Sequence, residues 1–490
     1  MKFLIINPQL IFNSRDKFTT GIIYLPIAIA SISANLKKNG IDHRVLDLFG
    51  NNPKKINKLD NFYVLGESIK KYSEEIKSYD AIFVYANQVI NHLSIINIIK
   101  QIRSINKSVK IITFENTQAV TAYSLKDIYN NFVFNENDFV LIGEPEEKIQ
   151  LICKNINKFD KLKNINGLIC NSFQNLNRDL IENLDSLPLP DWSQIPLKNY
   201  WNLKYAHGPF SSKKYISILT SRGCPYPCKF CVVPETNNRR WRHKSSKRVV
   251  DEMEDYIKKY NIKEFHFEDL NPTVNETRTI ELCNEIIKRN LNITWKIVAG
   301  TKVESIKKTS TVELMARSGC KYISISPESG SMKIMKEIGK PFDIKHAYKI
   351  VKSMNENKIF SQACFVLGYP GENQDDLNLT KKMIYNLTKN GIDEIAIFII
   401  SPIPGSEIFN SMSGYNNFSE LNFSPTWRKD YSHLFKKRLQ FYLMFLTLKM
   451  IFFPIKIIKQ IWNFLTLNFQ TKMEMVPYKY LKLSILTFKL

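Results

Sequence analysis

Three cysteines on one short loop carry the densest chemical signal in the chain: Cys224, Cys228 and Cys231, in the run Ser221-Arg-Gly-Cys-Pro-Tyr-Pro-Cys-Lys-Phe-Cys231. They follow an apolar strand expected from Tyr215 to Thr220. Thiolates at this spacing can converge on one soft-metal centre, and clustered cysteine sulfurs are what iron–sulfur clusters require. Three ligands leave one corner open. A cubane with one iron unligated by protein can bind substrate there, much as a catalytic zinc keeps an open position where a structural zinc is closed by four ligands. The competing reading is a zinc knuckle or a set of buried thiols without metal. Zinc would need a fourth ligand, and the only nearby imidazole, His243, sits in the basic stretch Arg239-Arg-Trp-Arg-His-Lys244, which reads as a solvated or anion-facing loop.

The Cys-x3-Cys-x2-Cys spacing, with the aromatic Phe230 just before the last cysteine, resembles the signature of the radical S-adenosylmethionine (SAM) superfamily. The resemblance implies that the three cysteines hold a [4Fe–4S] cluster whose open iron is chelated by the amino and carboxylate groups of SAM. One electron then cleaves SAM to a 5′-deoxyadenosyl radical, so an electron donor such as flavodoxin or ferredoxin is an implied partner.

The elements that must position such a loop are legible downstream. Strands are expected at Tyr215 to Thr220, Glu264 to Glu268, Thr294 to Ala299, Tyr322 to Ser326, Ala363 to Leu367 and Glu394 to Ile400, with helices between them. Six such units are what the partial (β/α)6 barrel of radical SAM enzymes would present, with its chemistry at the carboxyl ends of the strands. The second strand ends in Phe267-Glu-Asp-Leu-Asn271, where Glu268 and Asp269 resemble the site for the SAM ammonium group; a cationic amine in a dry pocket needs a carboxylate or carbonyl partner. Lys302 follows the third strand where the family commonly carries arginine, keeping the charge without the bidentate fork. By the same resemblance Glu328 and Ser329 contact polar groups of SAM, and Gly368 lets the backbone lie close to the cofactor. Each of these alone is weak, because glycine-proline turns usually punctuate loops. Their order after the cysteine loop is the stronger signal.

Residues 1–150 alternate β-branched runs with amphipathic stretches such as Pro26 to Asn39 and Leu93 to Ile105, which predicts a parallel, doubly wound sheet. Asn7-Pro8, Asn39-Gly40, Asp47 and Gly143-Glu-Pro-Glu146 resemble landmarks of the cobalamin-binding domain that precedes one class of radical SAM barrel. There are two departures, the first of them shared by many members of that class. The Asp-x-His-x-x-Gly motif is absent, and Phe114-Glu-Asn-Thr-Gln118 replaces an expected glycine-rich turn, with side chains that would crowd a corrin. The domain therefore either binds cobalamin or survives as a scaffold.

The expected fold class is α/β: a doubly wound Rossmann-like domain of cobalamin-binding type (1–150), a linker with a hairpin at Gly167 to Cys170 and Asn175 to Ile181 (151–212), a partial (β/α)6 TIM barrel of radical SAM type (213–407), and a basic, apolar helical tail (408–490). The eight cysteines form no disulfide pattern and point to a reducing cytoplasm. Met1 to Pro8 reads as a first strand, not a signal peptide. A net charge of +23 favours polyanions or acidic membrane surfaces, but no arginine-rich tract or RNA-binding motif stands out, which disfavours nucleic acid.

From Tyr431 the tail is lysine-studded and rich in large apolar residues, with Pro454 breaking its best run. It reads either as an interfacial helix pair, giving peripheral contact with the inner face of a membrane, or as a cap packed on the barrel. The expected function is an enzyme that cleaves SAM reductively and acts on a small-molecule or lipid-linked substrate, by cobalamin-dependent C-methylation or radical rearrangement of a membrane-associated intermediate. The alternative is a non-catalytic, zinc-stabilised protein that binds nucleic acid through its charge.

Overall fold

The computed structural model describes residues 1–488. Nine strands fall in the first third: β1 (Phe3–Asn7), β2 (Leu10–Asn13), β3 (His43–Asp47), β4 (Ile56–Leu59), β5 (Phe62–Leu65), β6 (Ala81–Ala86), β7 (Lys110–Glu115), β8 (Asp138–Leu141) and β9 (Leu168–Ile169). The main sheet runs β3-β1-β6-β7-β8-β9, parallel throughout except for β9. Period-2 alternation along β1 explains why both faces are covered. Phe3 and Ile5 pack with Ile29, Ile32 and Leu36 of the helix Ile27–Lys38, while Leu4 and Ile6 pack with Ile95, Ile98, Ile99 and Ile102 of the helix His92–Ile105. This doubly wound order places the topological switch point between β1 and β6.

Two features differ from the sequence expectation. The loop after Asn7 contains β2, which joins the hairpin β4–β5 in a small antiparallel sheet ordered β2-β5-β4. This sheet pairs short segments far apart in sequence, which no local pattern records. The linker hairpin is also tighter than expected: β9 turns straight back, with Cys170 N donating to Phe173 O and Asn175 N to Leu168 O, and Asn175 to Ile181 forms no strand. Pairing with β8 carries β9 into the N-terminal sheet, so that sheet reaches into the segment read as linker.

The second half contributes β10 (Ile216–Ile218), β11 (Ser221–Arg222), β12 (Arg242–His243), β13 (Glu264–Phe267), β14 (Thr294–Thr301), β15 (Cys320–Glu328), β16 (Phe360–Leu367) and β17 (Glu394–Ile399). Six of them form an all-parallel sheet in sequential order, β10-β13-β14-β15-β16-β17, which is the strand arrangement of an open barrel. The antiparallel pair β11–β12 brackets the cysteine loop.

The tail forms three helices, Tyr431–Phe452, Pro454–Leu465 and Lys472–Phe488. The last one bridges both halves of the molecule. Lys472 Nζ donates to Val298 O at 3.1 Å, Met473 N to Glu394 Oε2, and Lys479 Nζ to Phe18 O and Thr20 O, while Tyr480 stacks on Phe18 with centroids 4.4 Å apart.

Candidate cofactor site

Strand β10 delivers the chain to the cysteine loop, and Asp269 at the end of β13 braces that delivery. Its carboxylate accepts from Thr220 N (3.1 Å), Thr220 Oγ1 (2.8 Å) and Ser221 Oγ (2.6 Å), so the side chain expected to meet the SAM amine is engaged in holding the loop's base. Gly223 precedes the first cysteine at φ +77, with its ideal Cβ position 2.0 Å from the Arg240 carbonyl; only glycine fits there. The loop is pinned by Lys229 N donating to Ile338 O (2.9 Å), and Phe230 packs against the main core.

Cys224, Cys228 and Cys231 are partly buried and lie within electrostatic reach of one another. Burial pushes all three thiols up, Cys228 to about 11, while Lys340 and Lys302 nearby pull toward the thiolate. Among the described residues no three His, Cys, Asp or Glu side chains are drawn together as ligands of one metal ion. His243, the candidate fourth zinc ligand, is occupied by the Lys244 carbonyl (2.9 Å) and by the Trp241 ring.

The other expected residues divide. Lys302 sits over the Tyr226 ring at 4.4 Å, within the cysteine loop. Glu328 takes φ +59, a strained conformation for a residue with a side chain, and is held by Lys340 Nζ at 2.6 Å; Lys340 also donates to Ser326 O. Ser329 turns away to Thr380 Oγ1 and Ser331 N. Gly368 does permit a close approach at φ +79, but to the tail: its carbonyl accepts from Arg428, and an ideal Cβ would lie 2.5 Å from Leu434.

A cavity opens between the two halves. Asn7, Tyr85 and Asn87 line it from the switch point of the N-terminal sheet, and Leu219, Glu268 and Ala299 from the barrel mouth. A second cavity shares Ile27, Ala28, Asn116, Gln118 and Leu219 with the first and is lined on one side by the linker residues Leu187, Pro188 and Pro190. Glu268 is the expected residue that faces the first cavity. Its carboxylate accepts from His207 Nδ1 at 2.6 Å; burial would raise it, but His207, His266 and Lys472 together hold it below its usual value, while burial lowers His207.

Sequence reasoning missed His207 and Lys340 and misread Gln118. His207 lies in a linker without periodicity, and Lys340 follows a seven-residue helix, Met332–Ile338, that gave no pattern. The turn Phe114 to Gln118 is not merely crowding. Gln118 Oε1 accepts from Gly223 N (3.1 Å), its Nε2 donates to Asn237 Oδ1, and Asn237 Nδ2 donates to Thr117 O. The side chains that replace glycine therefore brace the cysteine loop.

Gly143-Glu-Pro-Glu146 has a similar role. Glu144 receives both guanidinium nitrogens of Arg242 at 2.8 Å, and Glu146 receives Arg222 at 2.6 Å, so the N-terminal domain grips both strands bracketing the loop. Burial alone would raise Glu144, but Arg222 and Arg242 hold it below its usual value.

Comparison with known proteins agrees with this architecture. Residues 218–384 match the family described as the Radical SAM superfamily. An uncharacterized methyltransferase of Pyrococcus horikoshii is 27% identical over 365 residues, 69% of this chain and 75% of that protein. The anaerobic magnesium-protoporphyrin IX monomethyl ester cyclase of Rubrivivax gelatinosus is 28% identical over 51% of this chain and 44% of that enzyme. The radical SAM methyltransferase TsrM of Kitasatospora setae, solved with cobalamin and a [4Fe–4S] cluster bound, superposes with a TM-score of 0.61 at 16% identity, over 83% of this chain and 74% of that one; this likeness concerns the fold. The cysteine loop at the mouth of a six-stranded parallel barrel and the match over residues 218–384 together identify a radical SAM domain within the chain, and the doubly wound domain facing it gives the chain the fold of the cobalamin-bound neighbour.

Proposed function

We propose that the chain is a cobalamin-dependent radical SAM methyltransferase that acts on carbon of a small-molecule or lipid-linked acceptor, with electrons from a flavodoxin- or ferredoxin-type donor. One observation carries the reading: the cavity lies where the switch point of the N-terminal sheet faces the barrel mouth. The methyltransferase relative and the cobalamin-bound structural neighbour support methyl transfer over other outcomes.

The residues present fit both groups. Cys224, Cys228 and Cys231 would hold the cluster, a three-thiol donor set with Lys302 and Lys340 beside it to offset negative charge. Asn7 lines the first cavity, and its buried Oδ1 has no hydrogen-bond partner among the described residues, an acceptor suited to the amide fringe of a corrin. When bound, such cofactors supply one-electron cleavage of SAM and a transferable methyl group. The chain's own share is positional. Gln118 and Asp269 fix the loop, Glu328 and Lys340 present a neutralised pair beside the cysteines, and His207 donates to Glu268 in the cavity wall. Linker prolines Pro188 and Pro190 line the second cavity.

Protein reconstituted without oxygen in the presence of hydroxocobalamin tests this. Retention of about four irons and one cobalt per chain is expected, with Cys228→Ser losing the iron and all SAM cleavage but keeping the cobalt. Iron without cobalt would overturn the cobalamin assignment. A colourless protein holding zinc would overturn the whole reading.

A further inference from the structure

The helix Pro454–Leu465 is built inside out. None of its residues is buried, and Ile455, Ile458, Trp462 and Leu465, which recur at helical spacing on one face, are each about two-thirds exposed (66–67%). Three of its four polar side chains, Lys456, Gln460 and Asn463, point the other way, into the protein. Lys456 Nζ donates to Asp393 Oδ1 and Gly391 O, both at 2.8 Å, Gln460 bonds Lys449 and Thr471, and Asn463 Nδ2 donates to Glu474 Oε1 at 3.0 Å. A helix packed on a protein in water normally shows the reverse, with its apolar stripe turned inward.

The exposed stripe continues onto the preceding helix. There Leu434, Phe441 and Phe445 face the protein while Leu439, Leu443, Leu446 and Met450, at the same helical spacing on the opposite side, face outward. The two helices meet at a bend of 113°, and among the described residues no single helix is long and apolar enough to cross a membrane. Contiguous exposed hydrocarbon of this extent marks an interaction surface.

We propose that this surface seats on an anionic lipid bilayer, in the interfacial plane and without spanning it. Charge complementarity selects the occupant. Between residues 431 and 488 nine lysines and arginines face one acid, Glu474, which is itself buried. Lys436, Lys459 and Lys482 are exposed and free to meet head groups, whereas Lys449 and Lys456 act as internal struts. Trp462 on the apolar face adds a side chain favoured at the membrane boundary. The inference rests on the tail alone and stands whether or not the methyl-transfer reading does.

Full-length protein, prepared without oxygen, is sedimented with vesicles of phosphatidylglycerol and phosphatidylcholine and with vesicles of phosphatidylcholine alone. Binding to the anionic vesicles is expected, weakening with salt, and the double variant Ile458→Asp, Trp462→Asp should bind at least tenfold more weakly while cleaving SAM at the wild-type rate. Equal binding by variant and wild type would overturn the proposal. So would a wild type that ignores both vesicles, including one that forms a stable dimer lost in the double variant, which would mean that a second copy covers the face.

Discussion

Charge is buried where the N-terminal domain meets the barrel, and hydrocarbon is exposed where the tail ends. At the first junction Glu144 and Glu146 grip Arg222 and Arg242 with side chains almost entirely out of water. At the second, Ile455, Ile458 and Trp462 stand in solvent while Lys456 and Asn463 turn inward. The contrast separates two uses of an interface. Buried ion pairs are costly to desolvate and contribute little net stability against an apolar substitute, but they specify one geometry, because removing one partner leaves an uncompensated charge. We read the clamp as fixing the register of the cysteine loop. The tail gains nothing from its apolar face within the monomer, so that face is available to something outside it.

Arg222→Ala should break the first half of this contrast with the largest effect. It leaves Glu146 without its cation and strips one from Glu144, so a loss of about 3–5 kcal/mol is expected in urea unfolding, with a matching fall in iron retained after reconstitution. A substitution that cost under about 1 kcal/mol would show that the clamp is solvated in solution.

Glu394 tests the base of the barrel, where the last tail helix docks. Burial raises this carboxyl from its usual 4.5 to about 7. A raised folded value means that the folded state holds its proton more tightly. Stability from this group is therefore complete below about pH 4.5 and falls as pH rises through about 7. Glu394→Gln keeps an acceptor for Tyr322 and should flatten that decline, removing a slope of at most about 1.4 kcal/mol per pH unit in denaturation series run across the window. An unchanged slope would assign the pH dependence elsewhere.

The smallest effect is expected in the tail. Ile458→Ser, made where the side chain touches water, should shift unfolding in lipid-free buffer by no more than about 0.5 kcal/mol. A large destabilisation there would mean that the apolar face is covered by the protein itself.

Legibility followed the range of the interactions. The barrel strands at Glu264, Thr294 and Glu394 begin at the expected residues, because fully covered strands show as apolar runs bounded by turns. The small sheet of β2, β4 and β5 was not legible, since its pairing joins short segments far apart in sequence. Among site residues the cysteines announce themselves by spacing. Asp269, Ser329 and Gly368 were expected at a cofactor, yet their partners turned out to be Ser221, Thr380 and Arg428. Nothing local distinguishes a carboxylate that meets a ligand from one that braces a loop.

The order of residues along the chain was enough to determine the three-thiol motif, the alternation of strands and helices around it, and the amphipathic lysine-rich character of the tail. Tertiary structure alone decided that Gln118 and Glu144 hold the cysteine loop, that His207 meets Glu268 in the cavity wall, and that the helix after Pro454 faces its apolar side outward. Periodicity records which residues share a face. It carries no sign for whether that face turns toward protein or away, because the sign depends on what the rest of the fold leaves uncovered.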